Sequence, residues 1–294
     1  MTRFAVAIVL LLTGNAAGVS QGKRPITVAV VDFGSSQSAR QLSEQVRAKL
    51  RDDKELAVPD GELAGAAARG NGYSGSLNLS LEEARDLGAA LASDYYIIAD
   101  AQTLRRSSSQ RPAYYESYCS IFLVSSRSGR LILWDRPSFE NEQATKAEMQ
   151  LSELLLSSQF LQRFQDAIRG TLKAETEERL IIPDEPEAII EAAPDDEKVA
   201  ELQGLRFPRP FRRFRPEYPD SAAKADAEAT VDLVIDVSAD GEIGQVRVER
   251  WAGFGLDEST VTAVRKMHFF PAMKNGSPIA MRVLLRYNFR KQPR

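Results

Sequence analysis

Thr230-Val231-Asp232-Leu233-Val234-Ile235-Asp236-Val237 is the stretch on which the fold turns. Val231, Leu233, Ile235 and Val237 alternate with Asp232, Val234 and Asp236. A period of two puts one set on the core face of a β-strand. Asp240-Gly241 is a hairpin dipeptide, and a return strand from about Ile243 to Trp251 brings Val246 and Val248 inward. Asp257 and Glu258 open a helix and Arg265 and Lys266 close it, charges that match the helix dipole. Val261, Val264 and Met267 form its apolar side. Asn275-Gly276 makes another turn. In the last run Met281, Val283, Leu285, Tyr287 and Phe289 face one way, and Arg282, Leu284, Arg286, Asn288 and Arg290 the other. This order predicts a small α+β domain with a three-stranded antiparallel sheet, one face under a helix and one in water.

Working outward, that domain covers about residues 210–291. Before it, residues 176–209 read as a linker that changes sign. Its first part holds Glu177, Glu178, Asp184, Glu185, Glu187, Glu191, Asp195, Asp196 and Glu197, broken by Pro183, Pro186 and Pro194. Self-repulsion extends such a chain. Then Arg206, Arg209, Arg212, Arg213 and Arg215 alternate with Phe207, Phe211 and Phe214 and with Pro208, Pro210 and Pro216. A stiff, polyproline-like arm lying along its own domain or against the acidic stretch accounts for this pattern. Contact of Arg206–Arg215 with anionic lipid or cell-wall polymer is the functional alternative.

Residues 24–175 read as an α/β sandwich-type domain in the order β-α-β-α-β-β-β-α. Ile26 to Phe33 is a buried strand. Ser36 and Ser38 are candidate caps for a helix from about Ala39 to Leu50. Ser80 and Glu83 form a capping box opening a helix to about Ala92. Leu56 to Val58 is a short strand between those helices, Tyr95 to Ala101 is a strand, Tyr115–Ser125 and Leu131–Trp134 a hairpin, and Ala144–Ala174 one long amphipathic helix. Gly70-Asn71-Gly72-Tyr73-Ser74-Gly75 matches a dinucleotide-site spacing but lacks the preceding strand and following helix, so it reads as a loop.

The chain of 294 residues carries a formal net charge of -3, one cysteine and one histidine. A net charge so near zero gives no general attraction to nucleic acid. One cysteine excludes an internal disulfide, and Cys119 with His268 cannot supply a usual zinc set. Both read as structural. No carboxylate pair stands out for acid–base work. The expectations are no catalytic, cofactor-binding or metal-ligating residues, and a protein that is not an enzyme. Arg3, the apolar run Phe4–Leu12 and the small residues after it read as an export signal over residues 1–20. The run is shorter than the ~20 residues of a spanning helix. The expected location is the periplasm, with inner-membrane attachment if the segment is retained.

Several of these residues together resemble the TonB C-terminal domain family. They are Tyr218-Pro219, the run Thr230–Val237, Asp240-Gly241, Leu256-Asp257, Phe269-x-Pro271-Ala272 and Asn275-Gly276. Two positions depart: Ala229 and Thr230 stand where a glycine is usual, and Met267 where an aromatic is common. The resemblance implies capture of an extended segment of an outer-membrane receptor or other envelope protein by addition to the edge of the last strand. The implied site is Met281, Arg282, Val283, Leu284, Leu285, Arg286, Tyr287, Asn288 and Phe289. Their arginines suit an acidic or polar peptide, or guard the edge against aggregation. A second resemblance, carried by Val28–Phe33, Leu87-Gly88-Ala89, Ser93–Ile98, Ile121–Val124 and Ser128–Ile132, is to the periplasmic α/β domain shared by CsgG and the TolB N-terminal region. It implies a protein-binding fold. Two functions follow as expectations: an envelope scaffold holding a peptide, or a TonB-type energy transducer for transmembrane transport with a retained anchor.

Overall fold

The computed structural model describes residues 24–107, 113–180, 190–194, 200, 202 and 204–291. The expected export signal over residues 1–20 and most of the expected acidic linker lie outside the described residues. Among those described, no helix is long and apolar enough to cross a membrane.

β1 (Ile26–Val30) is buried on both faces and lies one strand in from the edge of a mixed sheet. It pairs in parallel with β2 (Leu56–Ala57) and β3 (Tyr95–Arg106). β3 continues antiparallel to β4 (Tyr114–Ser125), which pairs with β5 (Leu131–Asp135) and β6 (Ser138–Asn141). One face carries Val28, Val30, Tyr95, Ile97, Ile121 and Leu123. It is covered by α1 (Gln37–Arg51), α4 (Ala144–Leu155) and α5 (Ser158–Leu180). Ser36 caps α1 by accepting the Ala39 N–H at 3.1 Å. The single long helix expected over 144–174 is two helices. Leu156 and Ser157 break the ladder, and the Ser157 hydroxyl then accepts the Phe160 N–H at 3.2 Å.

The opposite face carries Ala29, Val31, Tyr96, Ile98, Phe122 and Val124. α2 (Gly61–Gly70) and α3 (Leu81–Ala90) cover part of it. α2 was not expected from sequence, because its small residues give no wide apolar stripe. The capping box at Ser80 and Glu83 is present at the start of α3. Gly70 ends α2 and Gly72 and Gly75 lie in the loop after it, so the glycine run is not a strand-to-helix turn.

The rest of that face is covered by the C-terminal domain. There β10 (Ala229–Val237) lies between β11 (Ile243–Arg250) and β15 (Met281–Phe289), antiparallel to both. α7 (Leu256–Val264) packs on its inner face, and α6 (Asp220–Ala225) precedes the sheet. The expected three strands gain a fourth, β7 (Glu191–Ala192), supplied by the linker. β8 (Leu205–Arg206) and β9 (Arg209–Pro210) tie the basic arm to β13 (Ala272–Lys274) and β12 (Phe269–Phe270). β13 turns through Asn275-Gly276 into β14 (Ser277–Ile279).

The loop after β11 joins the two sheets. Trp251 stacks on Phe122 at 5.9 Å between centroids, and Phe254 meets Phe122 and Trp134 at 5.5 Å each. The Trp251 indole N–H donates to the Gly129 carbonyl at 2.9 Å. Asn78 bonds the Thr230 amide and the Thr230 and Trp251 carbonyls at 3.0, 2.8 and 2.6 Å. Gly253 adopts φ +71°, and a Cβ there would lie 2.6 Å from the Phe122 ring, so the close approach requires glycine. One apolar core therefore runs from Ala29 to Met267 through both domains.

Asp257 holds this loop in place. Its carboxylate accepts the Ala252 and Gly253 N–H groups, both at 2.8 Å. Burial pushes its pKa up to about 6, against the opposing effect of those two hydrogen bonds. A native pKa above the unfolded value means the folded chain binds this proton more tightly. The group therefore adds stability as pH falls from about 7 towards 4, on the order of 1–3 kcal/mol. Denaturant midpoints across that range are expected to lose this component in Asp257→Asn. Trp251→Ala is expected to cost about 3–5 kcal/mol, and a melt probed in each domain should then separate into two transitions.

Candidate peptide-binding edge

The last strand owes its position to side-chain alternation. Val283, Leu285, Tyr287 and Phe289 pack into the shared core beside Val231, Leu233 and Ile235, while Met281 is fully buried at the strand's start. Tyr218 closes the far end. Its ring lies 6.3 Å from that of Phe289, and its hydroxyl donates to the Ala227 carbonyl at 2.7 Å. The Tyr218-Pro219 pair thus fixes the entry to the sheet, with Pro219 directly before α6.

The outward face is a ladder of cross-strand pairs. Arg282 grips Asp236 through two bonds of 2.6 and 2.9 Å, and Arg286 grips Asp232 at 2.7 and 2.9 Å. Both partnerships fall at directly opposed positions of β10 and β15. Thr230 and Asn288 form the next rung at 2.8 Å. Asp232 and Asp236 are buried beneath their arginines. The arginines expected to greet an acidic peptide are therefore engaged within the sheet, and their charge is largely compensated there.

Sequence reasoning placed nine residues on one open edge. Two of them, Met281 and Arg282, already pair with Glu191 and Ala192, and the Ala193 N–H donates to the Arg282 carbonyl at 2.9 Å. Lys274 holds Glu191 with bonds of 2.9 and 2.8 Å. Pro194 follows, and with no N–H it cannot extend the ladder. From Val283 to Phe289 the outer edge has no strand partner among the described residues.

Beside that edge lies a groove of about 640 Å³. Its floor is Val283, Leu285 and Tyr287, and its walls include Phe207, Phe214, Met267 and Phe269. The far wall is the basic arm, held against the domain by β8, β9 and the Phe211 N–H, which donates to the His268 carbonyl at 2.8 Å. Arg213 and Arg215 stand at the rim and make no ion pair among the described residues. Burial holds the Tyr287 phenol above its ordinary pKa, with Arg213 opposing. The arm's part in this groove was missed from sequence. The alternation of arginine, proline and phenylalanine showed an extended arm, but not which surface it lies on.

His268 is exposed and sits 3.2 Å from Glu242, while Cys119 is fully buried in the N-terminal sheet, where burial pushes its thiol well up. Among the described residues, no cluster of three or more His, Cys, Asp and Glu side chains could hold a metal ion.

A family model described as the Gram-negative bacterial TonB protein C-terminal matches residues 215–290. The C-terminal domain is TonB-like. Protein TonB from Xanthomonas campestris pv. campestris, strains B100 and ATCC 33913, is 36% identical over 75 residues, 25% of this chain and 34% of each relative. The chain thus spans about a third of the length of the curated relatives it matches. The solution structure of the Pseudomonas aeruginosa TonB C-terminal domain is similar at 21% identity and a TM-score of 0.27, covering 36% of this chain and 99% of that one. Lipoprotein GNA1162 from Neisseria meningitidis is similar at 12% identity and 0.32, covering 45% and 96%. The LpoB C-terminal domain from Salmonella enterica stands at 15% and 0.28, covering 40% and 86%. Scores this low carry no functional weight.

The TonB-like sheet depends on its ladder. Arg282→Ala and Arg286→Ala each leave a buried carboxylate short of a partner, and each is expected to lower stability by about 1–2 kcal/mol. Urea unfolding of the single variants and the pair checks this.

Proposed function

We propose that the protein is a non-catalytic cell-envelope binding protein whose TonB-like domain takes up an extended peptide by strand addition along Val283–Phe289. The observation that carries the reading is the conjunction of an unpaired strand edge with an aromatic-walled groove running beside it. Main-chain hydrogen bonds along the edge supply affinity, and pockets for alternate side chains supply selectivity. Arg213 and Arg215 at the rim favour an acidic or polar peptide, such as a periplasmic segment of an outer-membrane receptor. The incoming strand begins where β7 stops, so the linker sets the register. Because the TonB-like domain shares a core with the α/β domain, a captured segment is held at a set position relative to that domain. This arrangement supports a scaffold over a transducer whose domain moves on a long tether.

The test is amide exchange over Val283–Phe289 with a panel of short acidic peptides. At least one peptide is expected to slow exchange there and to bind about ten-fold more weakly to Arg213→Glu with Arg215→Glu. No binding by any peptide, or protection confined to other strands, would remove the reading.

A further inference from the structure

Two phenyl rings stand exposed outside the groove. Phe211 is 72% exposed and Phe270 58%. They meet edge to face with centroids 5.5 Å apart. Neither lines the groove, although their neighbours Pro210 and Phe269 do. A hairpin-like ribbon displays the pair: Phe270 pairs with Arg209 across β9 and β12, and Phe211 is tied to His268. Exposing two adjacent phenyl rings loses the burial that would otherwise stabilise them, so the pair invites a partner.

The arm that carries Phe211 bears charge of one sign, and Glu242 lies 3.2 Å from His268 behind it. Arg209, Arg212 and Arg213 flank Phe211, and no acidic residue occurs between Leu205 and Pro216. Arg212, next to Phe211 in the chain, is exposed and lies over the Phe214 ring at 5.1 Å. A concave, lined cleft suits a peptide, and that cleft is next door. Protruding aromatic rings with arginines around them suit a broad, soft, anionic boundary. Rings of this kind seat at headgroup depth, and guanidinium groups pair with lipid phosphates above them.

We propose that the Phe211–Phe270 tip, with Arg212 and Arg213, docks on the surface of an anionic lipid bilayer. Apolar insertion of two rings and charge attraction act together, as reversible attachment requires. The two rings lie outside the groove, whereas Arg213 stands at its rim and is shared by both surfaces.

The full chain without its signal segment is mixed with vesicles of phosphatidylcholine alone or with phosphatidylglycerol added, and sedimentation measures the bound fraction. Binding is expected to the anionic vesicles and to be abolished near 1 M salt, where screening extends over only about 3 Å. Phe211→Ser with Phe270→Ser should weaken binding about ten-fold, with the melting temperature unchanged because both rings are solvated. Arg212→Glu is expected to weaken it about five-fold or more. Phe211→Trp supplies a second readout: its emission should shift to the blue on anionic vesicles and be quenched by brominated lipid. Equal binding to both vesicle types, no loss in the double serine variant, or an unquenched tryptophan would each overturn the proposal. So would self-association of the chain that the double serine variant abolishes.

Discussion

Trp251 leaves the end of β11 and crosses into the neighbouring domain, where it stacks on Phe122 and donates its indole N–H to Gly129. Its ring is 2% exposed, so nearly all of it is removed from water. Without it the sheet face bearing Ala29, Tyr96, Ile98 and Phe122 would be only partly covered by α2 and α3. The C-terminal domain completes a core that the N-terminal domain cannot close alone. Asp257 and Asn78 satisfy the backbone groups that this crossing loop would otherwise bury unpaired.

A shared core changes how the acidic linker can act. The two domains are held by side chains, so the chain between them is not what sets their spacing. The linker instead contributes to the site. Glu191 and Ala192 pair with the first residues of β15, and Lys274 anchors Glu191. Further on, the basic arm builds one wall of the groove. Residues that read as a connector thus supply a strand, a wall and two cations with no ion pair among the described residues beside the open edge.

The outward arginines of β15 show where residue pattern and chemistry diverge. Alternation placed Arg282 and Arg286 on the solvent face correctly, since the inward set is apolar and packs against the shared core. Their role depended on what stood opposite. The register of β10 against β15 sets Asp236 and Asp232 directly across, and two-pronged pairing converts apparent binding cations into cross-strand ties. The exposed cations lining the groove beside this edge are instead Arg213 and Arg215, which no pattern within β15 could reveal.

Local signals alone determined the three long strands of the TonB-like domain, its two turns, the caps at Ser36 and Ser80, and the buried character of Cys119. Each rests on periodicity or on hydrogen bonds between residues a few positions apart. The break at Leu156 and the small-residue helix Gly61–Gly70 escaped, because their stability comes from packing against the sheet rather than from their own pattern. Tertiary structure decided the rest: the joining of two cores through Trp251, the partial capping of β15 by β7, and the groove beneath the arm. Those features depend on residues such as Asn78 and Thr230, or Lys274 and Glu191, that meet only once the chain has folded, and a one-dimensional pattern carries no record of such encounters.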